Sequence, residues 1–316
     1  MLAVDALRQY DIAVQRLTLI SHHLNILYRV DTSTGKRFAL RISSPTWRSH
    51  LELQSELQWL IALDRETDIG AHTPLPNRSG ELITTLAGHG VPESRRCVLF
   101  TWVPGVEVAS RLTPENVEKM GELSARLHRH GQDFQPHNPF TKRSLDRLFP
   151  RDEEVVLFGA EHANLYSTAQ RASFEHAWER AETELLRLYA DPSGLLVVHG
   201  DLHHENIKVH RGKLRPIDFE DVIWAYSIQD IALTFYDFRY YTDPAAHNYE
   251  DLCHSFKRGY ERLEPWPEDY PGQIDTLHVA RQLWVANWVL INEDPVHHQP
   301  LIARLADRFG RFVDRN

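Results

Sequence analysis

One stretch of about twenty-five residues limits what this chain can fold into. An apolar run, Leu195-Leu196-Val197-Val198, leads into His199-Gly200-Asp201-Leu202-His203-His204-Glu205-Asn206. A second apolar run follows, then a short strand–turn–strand that ends in Ile217-Asp218-Phe219-Glu220-Asp221. A lone His-Gly-Asp is an ordinary strand-end turn, and Asp with Asn five residues later is a weak spacing by itself. Together they describe a loop between strands with oxygen-bearing side chains at both ends of a hairpin. Such a pattern needs strands to hold it and a lobe large enough to bury them.

The residue types suit one kind of chemistry. A carboxylate can orient and deprotonate a hydroxyl. An amide oxygen and a second carboxylate can hold Mg²⁺ on nucleotide phosphates. The order matches the pattern H-R-D-L-x-x-x-N followed by D-F-G of phosphoryl-transfer sites, with Gly200 in place of the arginine. Asp201 is the expected catalytic base, and Asn206 and Asp218 are the expected Mg²⁺ ligands. His199 reads as a buried organiser of the loop. Asp221 and Asp230 are expected to hold backbone amides around it.

The bulk properties exclude several classes. At 316 residues the chain exceeds what one compact core usually holds, so two lobes are expected. Its charged content of 25% and apolar content of 42% are those of a globular protein, and a net charge of −9 does not favour a nucleic-acid partner. Cys97 and Cys253 are the two cysteines, which rules out a disulfide framework and suits a reducing cytoplasm. No secretory signal is visible, and Leu283 to Ile291 is too short to span a bilayer. Histidine pairs occur at positions 22–23, 203–204 and 297–298, but no C-x-x-C or H-E-x-x-H supports zinc.

Periodicity predicts a helix from Asp5 to Ile12 and a meander of strands over Arg16–Ile20, Ile26–Asp31 and Arg37–Ile42. Leu51, Leu57, Leu60 and Ile61 recur at helical spacing. Ile69 to Pro76 reads as turn, and Leu82–Leu86 and Arg96–Val103 as strands. Pro104-Gly105 breaks the last of these. Beyond it the pattern is mostly helical: Pro114 to about His130 with Gly131 as the stop, Ser167 to Tyr189, and three or four helices after Gln229. The expectation is an α+β fold of two lobes. Residues 1–103 form an antiparallel sheet with one key helix, and residues 104–316 form a larger helical lobe. ATP is expected between them.

The first lobe offers further candidates. Phe38-Ala39-Leu40-Arg41 occupies the place of V-A-I-K, so Arg41 is expected to neutralise the α- and β-phosphates. Guanidinium can fork onto phosphate oxygens as well as balance their charge. Glu56 is its expected partner, because it shares a helix face with Leu60, with Glu52 in reserve. The Thr101 carbonyl and the Val103 amide are expected to meet adenine, with Leu99 or Phe100 as apolar wall. The loop Ser21-His22-His23-Leu24-Asn25 lacks glycine, so side-chain bonds from Ser21 and Asn25 stand in for a backbone phosphate cradle.

On these residues, Val197 to Phe219 resembles the signature of the aminoglycoside phosphotransferase and choline-kinase-like superfamily. The order of parts is similar from about Leu17 to about Phe235, and more loosely to the end. Leu123-Ser124-Ala125-Arg126-Leu127-His128 resembles the first large helix of that family's second lobe. Within the superfamily the chain is most similar to bacterial members grouped with homoserine kinase-like enzymes and the stress-response Ser/Thr kinase. The resemblance implies a protein-kinase-like fold, with Asp201 catalytic and Asn206 and Asp218 binding metal. The glycine-free loop and Glu205, where many members have glycine, depart from the pattern.

The expected activity is ATP- and Mg²⁺-dependent phosphorylation of a hydroxyl on a small molecule such as an aminoglycoside, an amino alcohol or a homoserine-like compound. The alternatives are a stress-response type of Ser/Thr protein kinase and a weakly active nucleotide-binding regulator. Only Glu220 to Gln229 separate Asp218 from Asp230, too few for a long activation loop, which favours a small acceptor. Trp224, Tyr226, Tyr236, Tyr240, Trp284 and Trp288 could box a cation, although core packing is the readier reading. Asp237, Glu293 and Asp294 could meet an amine, although a solvated face explains them as well.

Overall fold

The computed structural model describes residues 2–87, 93–151 and 153–315. The chain divides into two compact units. One comprises Met1–Leu112, Phe134–Thr141 and His204–Val222, and the other Thr113–Asp133, Lys142–His203 and Ile223–Asn316.

The first unit begins with α1 (Leu2–Leu7) and the strands β1 (Val14–His22), β2 (Ile26–Thr32) and β3 (Arg37–Ile42). Helix α2 (His50–Glu66) follows, then β4 (Pro74–Leu75), β5 (Thr84–Leu86) and β6 (Arg95–Thr101). The strands run β1-β2-β3-β6 in antiparallel order, and β4 and β5 both pair with β6. The core of the sheet is Val30, Phe38, Leu40, Ile42, Cys97 and Leu99, packed against Ala3, Ala6, Leu7 and Tyr10. That packing explains why α1 is shorter and earlier than the expected Asp5–Ile12. Tyr10 must enter the core, where its hydroxyl accepts a hydrogen bond from Thr84, and the chain tightens into three-residue turns to bring it there. The expected turn over Ile69–Pro76 contains β4, recruited by the free edge of β6.

Helix α2 starts at Ser49, whose side chain and Glu52 close a capping box. Its buried face carries Leu53, Glu56, Leu57, Leu60 and Leu63, spaced three and four apart. After β6 the chain forms β7 (Val106–Glu107), which the sequence did not suggest. It pairs with β9 (Ile207–His210), itself the partner of β10 (Lys213–Pro216). Gly105 has a φ of 120°, and a Cβ there would lie 2.4 Å from the Val209 carbonyl oxygen, so this close approach requires glycine.

The second unit holds α3 (Pro114–Asp133), α4 (Thr168–Leu188), β8 (Leu196–Val198), β11 (Ile223–Ala225), α5 (Ser227–Tyr240), α6 (Tyr249–Tyr260), α7 (Gln273–Asn292) and α8 (His298–Arg315). β8 and β11 pair antiparallel, with Leu196, Val198, Ile223 and Ala225 forming a small core. Gly131, expected to end α3, lies inside it. A Cβ at this position would come within 1.9 Å of the Val197 carbonyl oxygen, so the glycine permits β8 to pass close to the helix. Helices α3 and α6 likewise cross on glycines. A Cβ on Gly121 would lie 2.0 Å from the Phe256 carbonyl oxygen, and one on Gly259 would lie 1.8 Å from that of Glu118. Among the described residues no helix is long and apolar enough to cross a membrane.

The crossing generates a stability prediction. Gly259→Ala forces α3 and α6 apart and is expected to cost about 1–3 kcal/mol, after any gain in helix propensity. Gly310→Ala on α8 meets nothing within 4 Å and is expected to be neutral or slightly stabilising. Denaturant midpoints of the two variants check the contrast.

Candidate active site

The pair Asn206 and Asp218 is brought together by one hairpin. β9 and β10 join through Arg211 and Gly212, with φ values of 51° and 75°, the two positive angles of a type I′ turn. The register pairs Ile207 with Pro216, and the Ile217 N–H donates to the Asn206 carbonyl at 2.8 Å. Asn206 therefore precedes one strand and Asp218 follows the other, at the same end of the hairpin. Asp218 itself has a φ of 61°, a conformation that costs energy for any residue but glycine and that gathers at functional sites. The next residue anchors this turn: Phe219 is fully buried, edge-on to Trp59 at 5.4 Å and to His72 at 5.6 Å.

Arg41 projects from β3 into the same unit's charged cluster. Its guanidinium forks onto Glu56, with contacts of 2.9 and 2.5 Å. Glu52, the reserve candidate, is instead the capping-box partner of Ser49. Arg41 also lies 3.8 Å from Glu220, a residue that sequence reasoning did not select. Burial works against the Arg41 charge, but Glu56, with Glu220 and Asp218 behind it, outweighs burial and pushes the guanidinium further up. Burial also raises the Glu56 carboxyl, with Arg41 opposing. The bidentate contact marks the ionised pair as the folded form. Glu220 is pushed up to about 7 by burial and by Asp218 and Asp221, against the pull of Arg41 and Arg48.

The remaining first-unit candidates divide. Asn25 closes the β1–β2 turn, accepts from the Ser44 N–H at 3.1 Å and donates to Glu220. Ser21 sits within β1 opposite Leu27. Asp221 was expected to hold backbone amides, and the structure gives it the guanidinium of buried Arg48. Thr101 ends β6, and its N–H and hydroxyl are bonded to the backbone of Thr73. Val103 is buried just beyond it.

In the second unit, Asp201 sits on a loop fastened from several helices. Gly200 has a φ of 80°, and its N–H donates to Asp230 of α5 at 2.9 Å. The other Asp230 oxygen accepts from His128 of α3 at 3.0 Å, and the second ring nitrogen of His128 lies 3.0 Å from the Tyr260 hydroxyl of α6. The Thr234 hydroxyl donates to the Leu202 carbonyl at 2.6 Å. His199 is fully buried and accepts the Asp201 N–H at 3.3 Å. On the carboxylate itself, His203 Nε2 lies 3.4 Å away and Arg281 of α7 3.8 Å away. Burial raises the Asp201 carboxyl, but the hydrogen bond and charge of His203, then Arg281 and His199, outweigh it and hold it at about 2. His203 and Arg281 are the neighbours that sequence reading missed. Arg281 lies eighty residues along the chain from Asp201, and no local spacing points to it.

The aromatic candidates are mostly engaged in packing. Trp224 pairs within the β8–β11 ribbon, Tyr226 packs on Tyr189 at 5.1 Å, and Tyr236 is buried against Tyr240 at 4.8 Å. Glu293 and Asp294 are exposed at the end of α7, while Asp237 lies 3.9 Å from His203.

Residues 17–266 match the model of the phosphotransferase enzyme family. The chain belongs to that family. Among curated proteins, the phosphotransferase is 24% identical to amicoumacin kinase of Bacillus subtilis (strain 168) over 87% of its length and 81% of the relative's. It is 23% identical to stress response kinase A of Salmonella choleraesuis (strain SC-B67), over 91% and 81%. Among solved structures, an amicoumacin kinase in complex with AMP-PNP, Ca²⁺ and Ami aligns with a TM-score of 0.81 at 18% identity, covering 98% of this chain and 92% of that one. A microcompartment-associated aminopropanol kinase aligns with a TM-score of 0.79 at 19% identity, covering 99% and 97%. The expected α+β, protein-kinase-like class is the fold of these neighbours, and the family resemblance read from the motifs holds.

Two predictions follow from this geometry. Glu56→Ala strands a buried guanidinium and is expected to cost about 3–5 kcal/mol of stability, whereas Glu52→Ala loses only a cap contact of about 1 kcal/mol. Chemical denaturation compares them. The depressed Asp201 carboxyl gives a sign for pH. Its stabilising interaction is present above the unfolded value of 3.8 and is lost as pH falls through about 2. Asp201 therefore stays ionised across neutral and mildly acid pH, and a pH–rate profile is expected to show no limb from it above about pH 4.

Proposed function

We propose that this phosphotransferase moves the γ-phosphate of ATP to a hydroxyl of a small molecule, with Asp201 as the carboxylate that orients and deprotonates the acceptor. The hairpin register supports this reading most directly, because it sets an amide oxygen and a carboxylate, Asn206 and Asp218, at one strand end. These are hard oxygen donors. Asp218, Glu220 and Asp221 share three of four consecutive positions, while Arg41 is engaged by Glu56 and Arg48 by Asp221, so these four carboxyl groups outnumber the two guanidinium groups. A divalent cation fits that surplus, and Mg²⁺ is the proposed ion, held by Asn206 and Asp218. When bound, it would screen the nucleotide's phosphate charge.

The chain's own groups supply the rest. Arg41, fixed by Glu56, offers positive charge to the α- and β-phosphates. The Thr101 carbonyl and Val103 amide meet the adenine edge. Ser21 and Asn25 donate to phosphate oxygens, Asn25 by exchanging its bond to Glu220. His199, Asp221 and Asp230 support these groups; Asp230 does so through the Gly200 amide. Positioning and electrostatic stabilisation carry most of the rate gain.

A Salmonella typhimurium relative named as a serine/threonine protein kinase raises a protein acceptor as the second reading. The chain between Asp218 and Asp230 is taken up by β11 and the first turn of α5, which leaves no room for a long substrate-binding segment. This favours a small acceptor.

The test pairs two variants. Asp201→Asn is expected to lower turnover about 10²- to 10⁴-fold with ATP affinity nearly unchanged. Asp218→Ala is expected to abolish the Mg²⁺-dependent part of nucleotide binding in calorimetry run with and without the metal. Near-normal turnover in the first, or unaltered metal dependence in the second, rejects the assignment.

A further inference from the structure

The aromatic rings of the second unit read in sequence as a box for a cationic acceptor, yet two of them already carry cations of the protein's own. The Arg281 guanidinium lies over Trp284 at 4.4 Å, and Arg308 lies over Tyr240 at 4.0 Å. The Trp284 ring is fixed in turn by its indole N–H, which donates to Glu153 at 2.9 Å. A ring face that holds a guanidinium is not available to an ammonium ligand.

These two arginines have less negative charge around them than they can use. Arg281 meets the Asp201 carboxylate at 3.8 Å, and its Nε is buried with no hydrogen-bond partner among the described residues. Among the described residues Arg308 makes no ion pair. Burial lowers its affinity for a proton, and Arg304 and Arg311 on the same helix lower it further. Tyr240, which carries Arg308, packs on the buried ring of Tyr236 at 4.8 Å, and Tyr236 in turn feels the Arg281 charge. Asp201 is committed to the hydroxyl by the proposed function, and Asp237 faces His203.

We propose that the acceptor carries an oxyanion, most simply a carboxylate, beside its reacting hydroxyl, and that Arg281 and Arg308 bind it. This rests on the reading of Asp201 as the acceptor-orienting carboxylate. A guanidinium at 3.8 Å would otherwise only weaken that carboxylate as a base. With an anionic acceptor it gains a second ligand, and its forked donors fix the substrate's orientation. The transfer is unchanged: the acceptor oxygen bonds to the γ-phosphorus, the bond to the ADP oxygen breaks, and the hydroxyl proton leaves through Asp201 to solvent. Arg281 and Arg308 take no part in bond making and serve as specificity determinants.

The test is transfer of label from γ-labelled ATP to alcohols of two to six carbons, supplied as matched carboxylate, amide and amine series with glycerol 3-phosphate as a phosphate arm. A protein extract runs in parallel. The carboxylate series is expected to exceed its amides in kcat/KM by about ten- to a hundredfold, the range for charge-assisted bonds. Arg281→Gln and Arg308→Gln are expected to reduce that preference to about threefold or less, and Arg281→Lys to retain part of it. Stronger labelling of glycerol 3-phosphate than of glycerate would keep the two arginines and make the oxyanion a phosphate. Label in the amine series with the acids inert, or an undiminished preference in both glutamine variants, overturns the proposal while phosphotransfer to a small molecule stands. Label in protein alone, or in no arm, overturns both.

Discussion

The buried ion pair of Arg41 and Glu56 sits at the centre of the first unit's charged cluster. Arg41 holds Glu56 by two hydrogen bonds, lies within 4 Å of Glu220 and feels Asp218 beyond it. An ion pair this deeply buried contributes little net stability compared with an apolar alternative, but losing one member leaves the other uncompensated. The arrangement therefore fixes geometry. It fastens α2 to β3, and through Glu220 and Asn25 it links the residues after β10 to the turn between β1 and β2.

The second unit solves a different problem, that of keeping one loop carboxylate still. Asp201 follows a glycine in a left-handed conformation, and α5 takes hold of the loop on both sides, at the Gly200 amide and the Leu202 carbonyl. Behind Asp230 stands a chain of buried partners, His128 and Tyr260, contributed by α3 and α6. Those helices can approach closely because Gly121 and Gly259 lie at their crossing. Backbone sterics on one side of the unit thus bear on the aim of a side chain on the other.

Much of this was legible before any coordinates. The choice of Glu56 over Glu52 followed from the helix face that Glu56 shares with Leu60, because side chains four apart share a face. The strand–turn–strand before Asp218 implied the hairpin that returns the chain to Asn206. Gly131 was misread for a clear reason. Its spacing after His130 looks like a helix stop, but the position serves a strand sixty-six residues further on, and propensity does not register a neighbour that distant. β4 and β7 were missed because two-residue strands carry no periodicity and form only when an edge is present to pair with.

The amino-acid sequence by itself determined the family and the fold class, and it put forward Asp201, Asn206 and Asp218 as candidate oxygen donors, since these depend on residue types at short, regular spacings. Only the tertiary structure decided which charges surround those donors. Arg48 meets Asp221, Glu220 meets Arg41, and Arg281 meets Asp201 across separations that no local pattern spans. Coulombic interaction depends on distance through space, and folding, not order along the chain, sets that distance.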